Sequence, residues 1–260
     1  MPATEPNLVT LMKSVLDISY KSVTKRHTKS LNYGSRKYSQ LRLMGIAHAM
    51  FRDMIIVCNT NKSARSLELL HRPLIEIWVN FLWIGLGNNN KNYVLYVIDD
   101  NLRMAKHVDY IIKYLRKTNT NQKEIDDWLD IKKLNLEQAE DAKKSTKFKF
   151  QTLKLPSIAE RAREIDVAYP SLDGSMEWMI LYPFSFAHRV IHSSNSQLNR
   201  LGSNDDKTID ILGSNEELDR AASECLLTFM GLLDDFGRVF KIPTKLDKLW
   251  ESAKTAKVYK

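Results

Sequence analysis

Ala64-Arg-Ser-Leu-Glu-Leu-Leu-His-Arg-Pro-Leu-Ile-Glu-Ile-Trp-Val-Asn-Phe-Leu-Trp-Ile84 decides how the chain is read. Leu67, Leu70, Leu74, Ile77, Trp78, Phe81 and Ile84 recur at three- and four-residue intervals, the spacing of one helix face. After residue 73 the stretch is apolar nearly all round, which predicts a central, buried helix. Gly85-Leu-Gly87 and three asparagines end it, and Ser63 is placed to cap its start. Pro73 falls inside the pattern, where its missing N–H and its ring demand a kink or a restart. Arg72 and Glu76 flank that kink at i, i+4, within reach of each other or of groups that face them.

The helical period returns on both sides. Upstream, Leu41, Met44, His48, Phe51, Ile55 and Cys58 form the cleanest stripe of the chain, and Leu8, Leu11, Met12, Val15 and Leu16 form another before a basic run, Lys21 to Lys29. Downstream, a helix is expected from about Tyr93 to Leu115. A polar helix opens at Asn121 to Glu124, with Ile125, Leu129, Lys132 and Leu136 as its thin edge. Ser157 to Glu160 is a capping box before a short helix, Ile158 to Ile165. Ser214 to Glu217 is a second, opening a long amphipathic helix through Leu218, Ala222, Cys225, Phe229, Leu232, Phe236 and Val239. A short helix, Lys245 to Ala253, comes last. Tyr169 to Gly174 reads as a turn and Asn204 to Gly213 as a loop. No stretch shows convincing period-two alternation. The expectation is an all-α multi-helix bundle of roughly eight helices, one domain over 1–260. Residues 143–156 are the candidate flexible linker; the alternating Lys and Phe of Lys143 to Phe150 also suit a short strand or a nucleic-acid patch.

Composition agrees. With 260 residues, 43% of them hydrophobic, and only nine glycines and seven prolines, the chain has material for a large core built from long helices. Cys58 and Cys225 each sit inside an apolar run, so buried reduced thiols and a cytoplasmic setting are expected. Met1-Pro-Ala-Thr-Glu-Pro6 has neither the basic start nor the apolar stretch of a secretory signal. The most hydrophobic segment, Pro73 to Gly87, is too short to span a bilayer and carries Glu76 and Asn80, so no membrane partner is expected. The formal charge of +8, from 39 basic and 31 acidic residues, favours phosphate backbones or an acidic partner. A lysine-rich solvated surface is the plainer alternative.

Few constellations carry chemistry. A di-metal bundle needs two Glu-x-x-His pairs, and Glu68 to His71 is the only one. The aspartate doublets at 99–100, 126–127, 205–206 and 234–235 are adjacent, so on a helix their side chains diverge. No Cys-x-x-Cys and no phosphate-cradling glycine loop exists. Neither a metal nor another cofactor is expected. A metal-free ribonuclease could use an arginine and a histidine separated by four to six intervening residues, the arginine holding phosphate and the histidine moving the proton. Arg42 to His48 and Arg65 to His71 both fit, though His48 on its apolar stripe also reads as a hydrogen-bonded core residue. The densest polar stretch is Tyr182-Pro-Phe-Ser-Phe-Ala-His-Arg-Val-Ile-His-Ser-Ser194. As a helix it would put Tyr182, Ser185, His188 or Arg189, and His192 on one face. Two readings stay open: a buried network that locks helices in register, or a phosphate or nucleotide pocket.

The stretch Ala64 to Ile84, followed by Pro156-Ser-Ile-Ala-Glu-Arg-Ala162, Tyr182, Ser185 and His192-Ser-Ser194, resembles a set of bacterial helical proteins of unknown function. In these an Arg-x-Leu-hydrophobic-Glu helix precedes a later helix carrying Tyr, Ser and His-Ser. They look related to the HEPN superfamily of helical bundles, some relatives of which occur in defence islands and toxin–antitoxin loci. The resemblance covers about 60–242 and implies a shared polar set of Arg72, Glu76, Tyr182, Ser185 and His192. It implies RNA or nucleotide binding, with His192 or His188 as acid or base, Arg72 and Arg189 on phosphate, and Glu76 orienting an arginine or histidine. It also implies a homodimer. Arg189 precedes His192 by only three residues, a departure from the Arg-x(4–6)-His of HEPN nucleases. The other reading of the same residues is a non-catalytic module, an antitoxin or scaffold subunit that binds a protein partner.

Overall fold

A computed structural model describes residues 7–25, 31–32, 34–61, 63–87, 89–118, 121–149, 153–172, 174–181 and 214–255. Among these the secondary structure is entirely helical: α1 (Leu8–Lys25), α2 (Arg36–Ile56), α3 (Ala64–Trp83), α4 (Lys91–Lys117), α5 (Gln122–Lys144), α6 (Ile158–Ala168), α7 (Ser175–Met179), α8 (Asn215–Phe240) and α9 (Asp247–Thr255). A π-helical turn (Val57–Asn61) continues α2, and a 3-10 turn (Pro170–Leu172) follows α6. The chain divides into two compact units, one of residues 1–82 with 158–260 and one of 83–157.

Local chemistry explains where the helices begin. Ser63 accepts the N–H of Ser66 at 3.2 Å and opens α3, Asn121 accepts from Lys123 at 3.0 Å and opens α5, and Ser214 with Glu217 forms a reciprocal capping box at α8. α3 runs through Pro73 as one element. Near its end, the buried amide of Gln40 on α2 donates to the Phe81 carbonyl at 2.9 Å, supplying a partner at the end of a helix where carbonyls lack one.

In the larger unit, α1 and α2 pack on each other and both pack on α8. The core is apolar and aromatic: Met12, Met44, Phe51, Leu67, Leu74, Phe81, Phe229 and Phe236 are fully buried. Phe51 of α2 stacks on Phe229 of α8, with centroids 4.1 Å apart and planes 10° from parallel. Cys58 and Cys225 are buried free thiols. Burial pushes Cys58 up to about 11 and Cys225 well above its ordinary value. α8 ends in a left-handed residue, Lys241 (φ 55°), and the Ile242 N–H reaches back to the Gly237 carbonyl at 2.9 Å. Gly237 must lack a side chain, since a Cβ there would lie 2.6 Å from Thr244 and 2.8 Å from the Ile242 carbonyl.

The smaller unit is a hairpin of α4 and α5. Val108, Ile112 and Leu115 of α4 close on Ile125 of α5, flanked by Ile111 and Trp128. Lys132 of α5 donates to Asp109 of α4 at 2.7 Å. Asp99, also buried, accepts Arg103 and, at 3.1 Å, the backbone N–H of Leu155. No described helix is long and apolar enough to cross a membrane.

Candidate functional site

α3 alternates two uses of its polar residues. Arg65, Glu68 and His71, each three residues after the last, turn towards α8, where Glu217, Arg220, Glu224 and Thr228 lie on one face at intervals of three or four. The partners run in the same order on both helices, so α3 and α8 are parallel. Arg65 donates from two nitrogens to both carboxylate oxygens of Glu217, each at 3.3 Å. Glu217 thereby serves two ends, since the same carboxylate accepts the Ser214 N–H at 3.1 Å in the capping box. Glu68, 4% exposed, stands between Arg65 at 3.6 Å and Arg220 at 3.1 Å. Arg65 Nε has no acceptor among the described residues.

His71 closes this seam. Its Nε2 lies 2.8 Å from the Thr228 hydroxyl and its Nδ1 3.8 Å from Glu224. Desolvation dominates here: burial lowers His71 to about 4, and burial also raises Glu224, with Arg220 opposing. The two groups 3.8 Å apart are therefore not an ion pair at neutral pH, because the imidazole is uncharged there. A neutral His71 with its proton on Nδ1 accepts from the Thr228 hydroxyl at Nε2, and in the other tautomer donates to it. Such an imidazole is fixed and shut away from solvent, unsuited to passing protons to a substrate.

The seam continues as a row of indole bonds. Trp78 Nε1 donates to Asp235 at 2.6 Å, and Trp250 Nε1 of α9 donates to Asp234 at 2.7 Å. The doublet Asp234-Asp235 does diverge, one carboxylate to α9 and its neighbour to α3. Thr244 adds a bond to Asp234 at 3.0 Å, and Arg238 one to Asp235. Burial nonetheless raises Asp235, against the pull of Trp78 and Arg238. Further along α3, the buried amide oxygen of Asn80 accepts from Arg161 of α6. None of these cross-helix partnerships follows from a single motif. The available signal is the complementary series Arg65, Glu68, His71 and Glu217, Arg220, Glu224 at matching helical spacing.

The expected site residues divide accordingly. Arg72 and Glu76 lie on α3, half-buried, one turn apart. Tyr182, Ser185, His188, Arg189 and His192 lie outside the described residues, so only Arg72 and Glu76 of the set are placed. Of the two Arg-to-His spacings, Arg65 and His71 are both buried in the seam. Arg42 is exposed while His48 is half-buried, 3.0 Å from the Ser19 hydroxyl of α1, its basicity lowered by burial and by Arg52. Glu68 and His71, the lone Glu-x-x-His pair, also belong to the seam. Among the described residues, no group of three or more His, Cys, Asp or Glu is arranged to hold a metal ion.

No curated protein and no solved structure matches the chain. A family model does, over residues 41–209, from α2 through α7 and on into the polar stretch, but short of α8. The seam therefore joins a helix inside the matched span to one outside it. With well over half its length matched, the chain belongs to DUF5677, a family of unknown function.

Proposed function

We propose that this chain is a HEPN-like helical protein that binds RNA or nucleotides and cuts RNA without a metal, acting as a cytoplasmic anti-phage or toxin effector. The observation that carries the reading is the division along α3. Arg65, Glu68 and His71 are buried and engaged with α8, whereas Arg72 and Glu76 stay half-exposed on the same helix. A guanidinium at a helix surface can take a phosphate bidentately; one sealed against two carboxylates cannot. The charge excess of +8 points to the same class of ligand. His48 and His71 are held by hydroxyls and pushed towards the neutral form, so neither is suited to the proposed proton transfer; the resemblance assigns the acid or base to His192 or His188. Arg189 joins Arg72 on phosphate, Glu76 orients a cation, and Tyr182 and Ser185 support the pocket. Two copies of the chain would compose one site, as the resemblance to HEPN-like proteins implies.

The dense pairing inside the seam favours a second reading, a non-catalytic antitoxin or scaffold subunit in which the polar residues fix helix register for a protein partner. The test is cleavage of a labelled RNA and tRNA pool with EDTA present, comparing the wild type with His192→Ala, His188→Ala and Arg72→Ala. Cleavage that either histidine variant abolishes supports the nuclease. An inactive wild type, with Arg72→Ala unchanged in RNA affinity, gives the field to the interaction module.

A further inference from the structure

α4 and α5 form one hairpin, yet they meet solvent differently. α5 exposes both signs: Lys133 faces Glu137 at 4.0 Å, Lys143 pairs with Glu140, and Gln122 reaches Asp126 at 2.8 Å. That is the pattern of an ordinary solvated helix. α4 exposes one sign along most of its outer face. Arg103, Lys106 with His107, Tyr110, Lys113 with Tyr114, and Lys117 follow one another at three- and four-residue steps, and all are exposed. Between Leu102 and Lys117 the only carboxylate is Asp109, and Lys132 holds it to α5. Asp99 is buried, taking Arg103 and Leu155, and the exposed Asp100 precedes the stripe.

The two tyrosines set this face apart from a plain basic surface. Tyr110 and Tyr114 are 61% and 66% exposed, among the most exposed aromatics described. Among the described residues neither ring has a hydrogen-bond or ring partner, and Lys106, Lys113 and Lys117 have no ion pair. Nothing described within the fold uses them. Rings one turn apart, about 6 Å along the axis, present two separate platforms on the same side, with lysines before, between and after them. A single strand of nucleic acid has the matching elements, flat bases that stack on aromatic rings and a phosphate chain that follows a row of cations.

We infer that the exposed face of α4 from Arg103 to Lys117 binds single-stranded RNA, with Tyr110 and Tyr114 stacking bases and Lys106, Lys113 and Lys117 meeting phosphates. This rests on the RNA-binding reading above and adds to it a surface built from residues other than Arg72, His188 and His192. Charge alone would also attract an anionic membrane, but the tyrosines distinguish the two, since stacking needs rings and electrostatic adhesion does not.

The experiment is fluorescence anisotropy of a labelled oligouridine of about 12 nucleotides with the full chain, its Tyr110→Ala/Tyr114→Ala variant and its Tyr110→Phe/Tyr114→Phe variant. Vesicles containing phosphatidylserine serve as the other anionic probe. Both double variants alter exposed side chains, and circular dichroism checks that they fold alike. The expected result is that the alanine variant binds RNA at least about tenfold more weakly, while the phenylalanine variant keeps wild-type affinity. Equal RNA binding by all three overturns the α4 surface and leaves the RNA-binding reading standing. A wild type that binds vesicles but no RNA overturns both.

Discussion

The α3–α8 seam and the outer face of α4 use similar residue types to opposite ends. In the seam, Arg65, Glu68 and His71 of α3 are drawn out of water, and each is matched to a partner on α8. On α4, Lys106, Tyr110, Lys113, Tyr114 and Lys117 are exposed with no partner among the described residues. Burial makes the difference. A charge taken out of water must meet its counter-charge or it destabilises the fold by several kcal/mol, whereas an exposed lysine gains little from any single partner. The seam therefore reports on stability, and the α4 face on what the surface meets.

The widest gap between the two regions should appear on removing Glu68. Glu68→Ala leaves the buried Arg65 with Glu217 and removes the carboxylate 3.1 Å from Arg220, at an expected cost of about 3–5 kcal/mol. Urea denaturation would read this as a lower midpoint at unchanged slope. If Glu68→Ala unfolds no more easily than Lys113→Ala, the contrast collapses.

Acid should weaken the protein through His71. In the unfolded chain this histidine binds a proton near pH 6.5, but in the fold only near 4. The unfolded state thus holds more protons between these values, so stability is full above about 6.5 and falls as pH drops towards 4. The loss should approach roughly 3 kcal/mol across that window. His71→Gln, which can still bond Thr228, should flatten the slope of midpoint against pH.

A third change tests packing rather than charge. Gly231 of α8 lies under the Trp78 indole, and a Cβ there would stand 2.3 Å from the ring. The ring cannot swing away cheaply because its N–H is fixed on Asp235. Gly231→Ala should cost about 1–3 kcal/mol and change tryptophan fluorescence, even though alanine favours the helix. The smallest effect on stability belongs to Lys106→Gln/Lys113→Gln/Lys117→Gln, expected within about 0.5 kcal/mol of wild type. Its salt dependence of RNA binding should instead be shallower by about 2 in the log–log slope.

Local signals are legible in the sequence. The three- and four-residue period of Ala64 to Ile84, the caps at Ser63, Asn121 and Ser214, and the absence of period-two stretches all anticipate the helices described. Each depends on neighbours within a turn or two. The π-helical turn at Val57–Asn61 is not legible, because Cys58 continues the α2 stripe by spacing alone. The seam is harder still, since Arg65 and Glu217 are 152 residues apart. Helical spacing shows which side chains share a face but not which distant helix that face meets. Of the candidate site, Arg72 and Glu76 are placed at a half-buried surface, and the five residues from Tyr182 to His192 lie outside the described span. The outward face of α4 is silent for a related reason: periodicity marks apolar positions, and this face is built from the others.

The burial of Cys58 and Cys225 has a practical side. The chain has two cysteines, and both thiols are shut away in the protonated form, slow to react with maleimides or disulfide reagents. A cysteine introduced at an exposed position of the hairpin would be the fast-reacting thiol of the folded protein, so a dye or crosslinker could be attached without removing the native pair. The native thiols would then serve as a clock, their slow modification timing how often the larger unit opens.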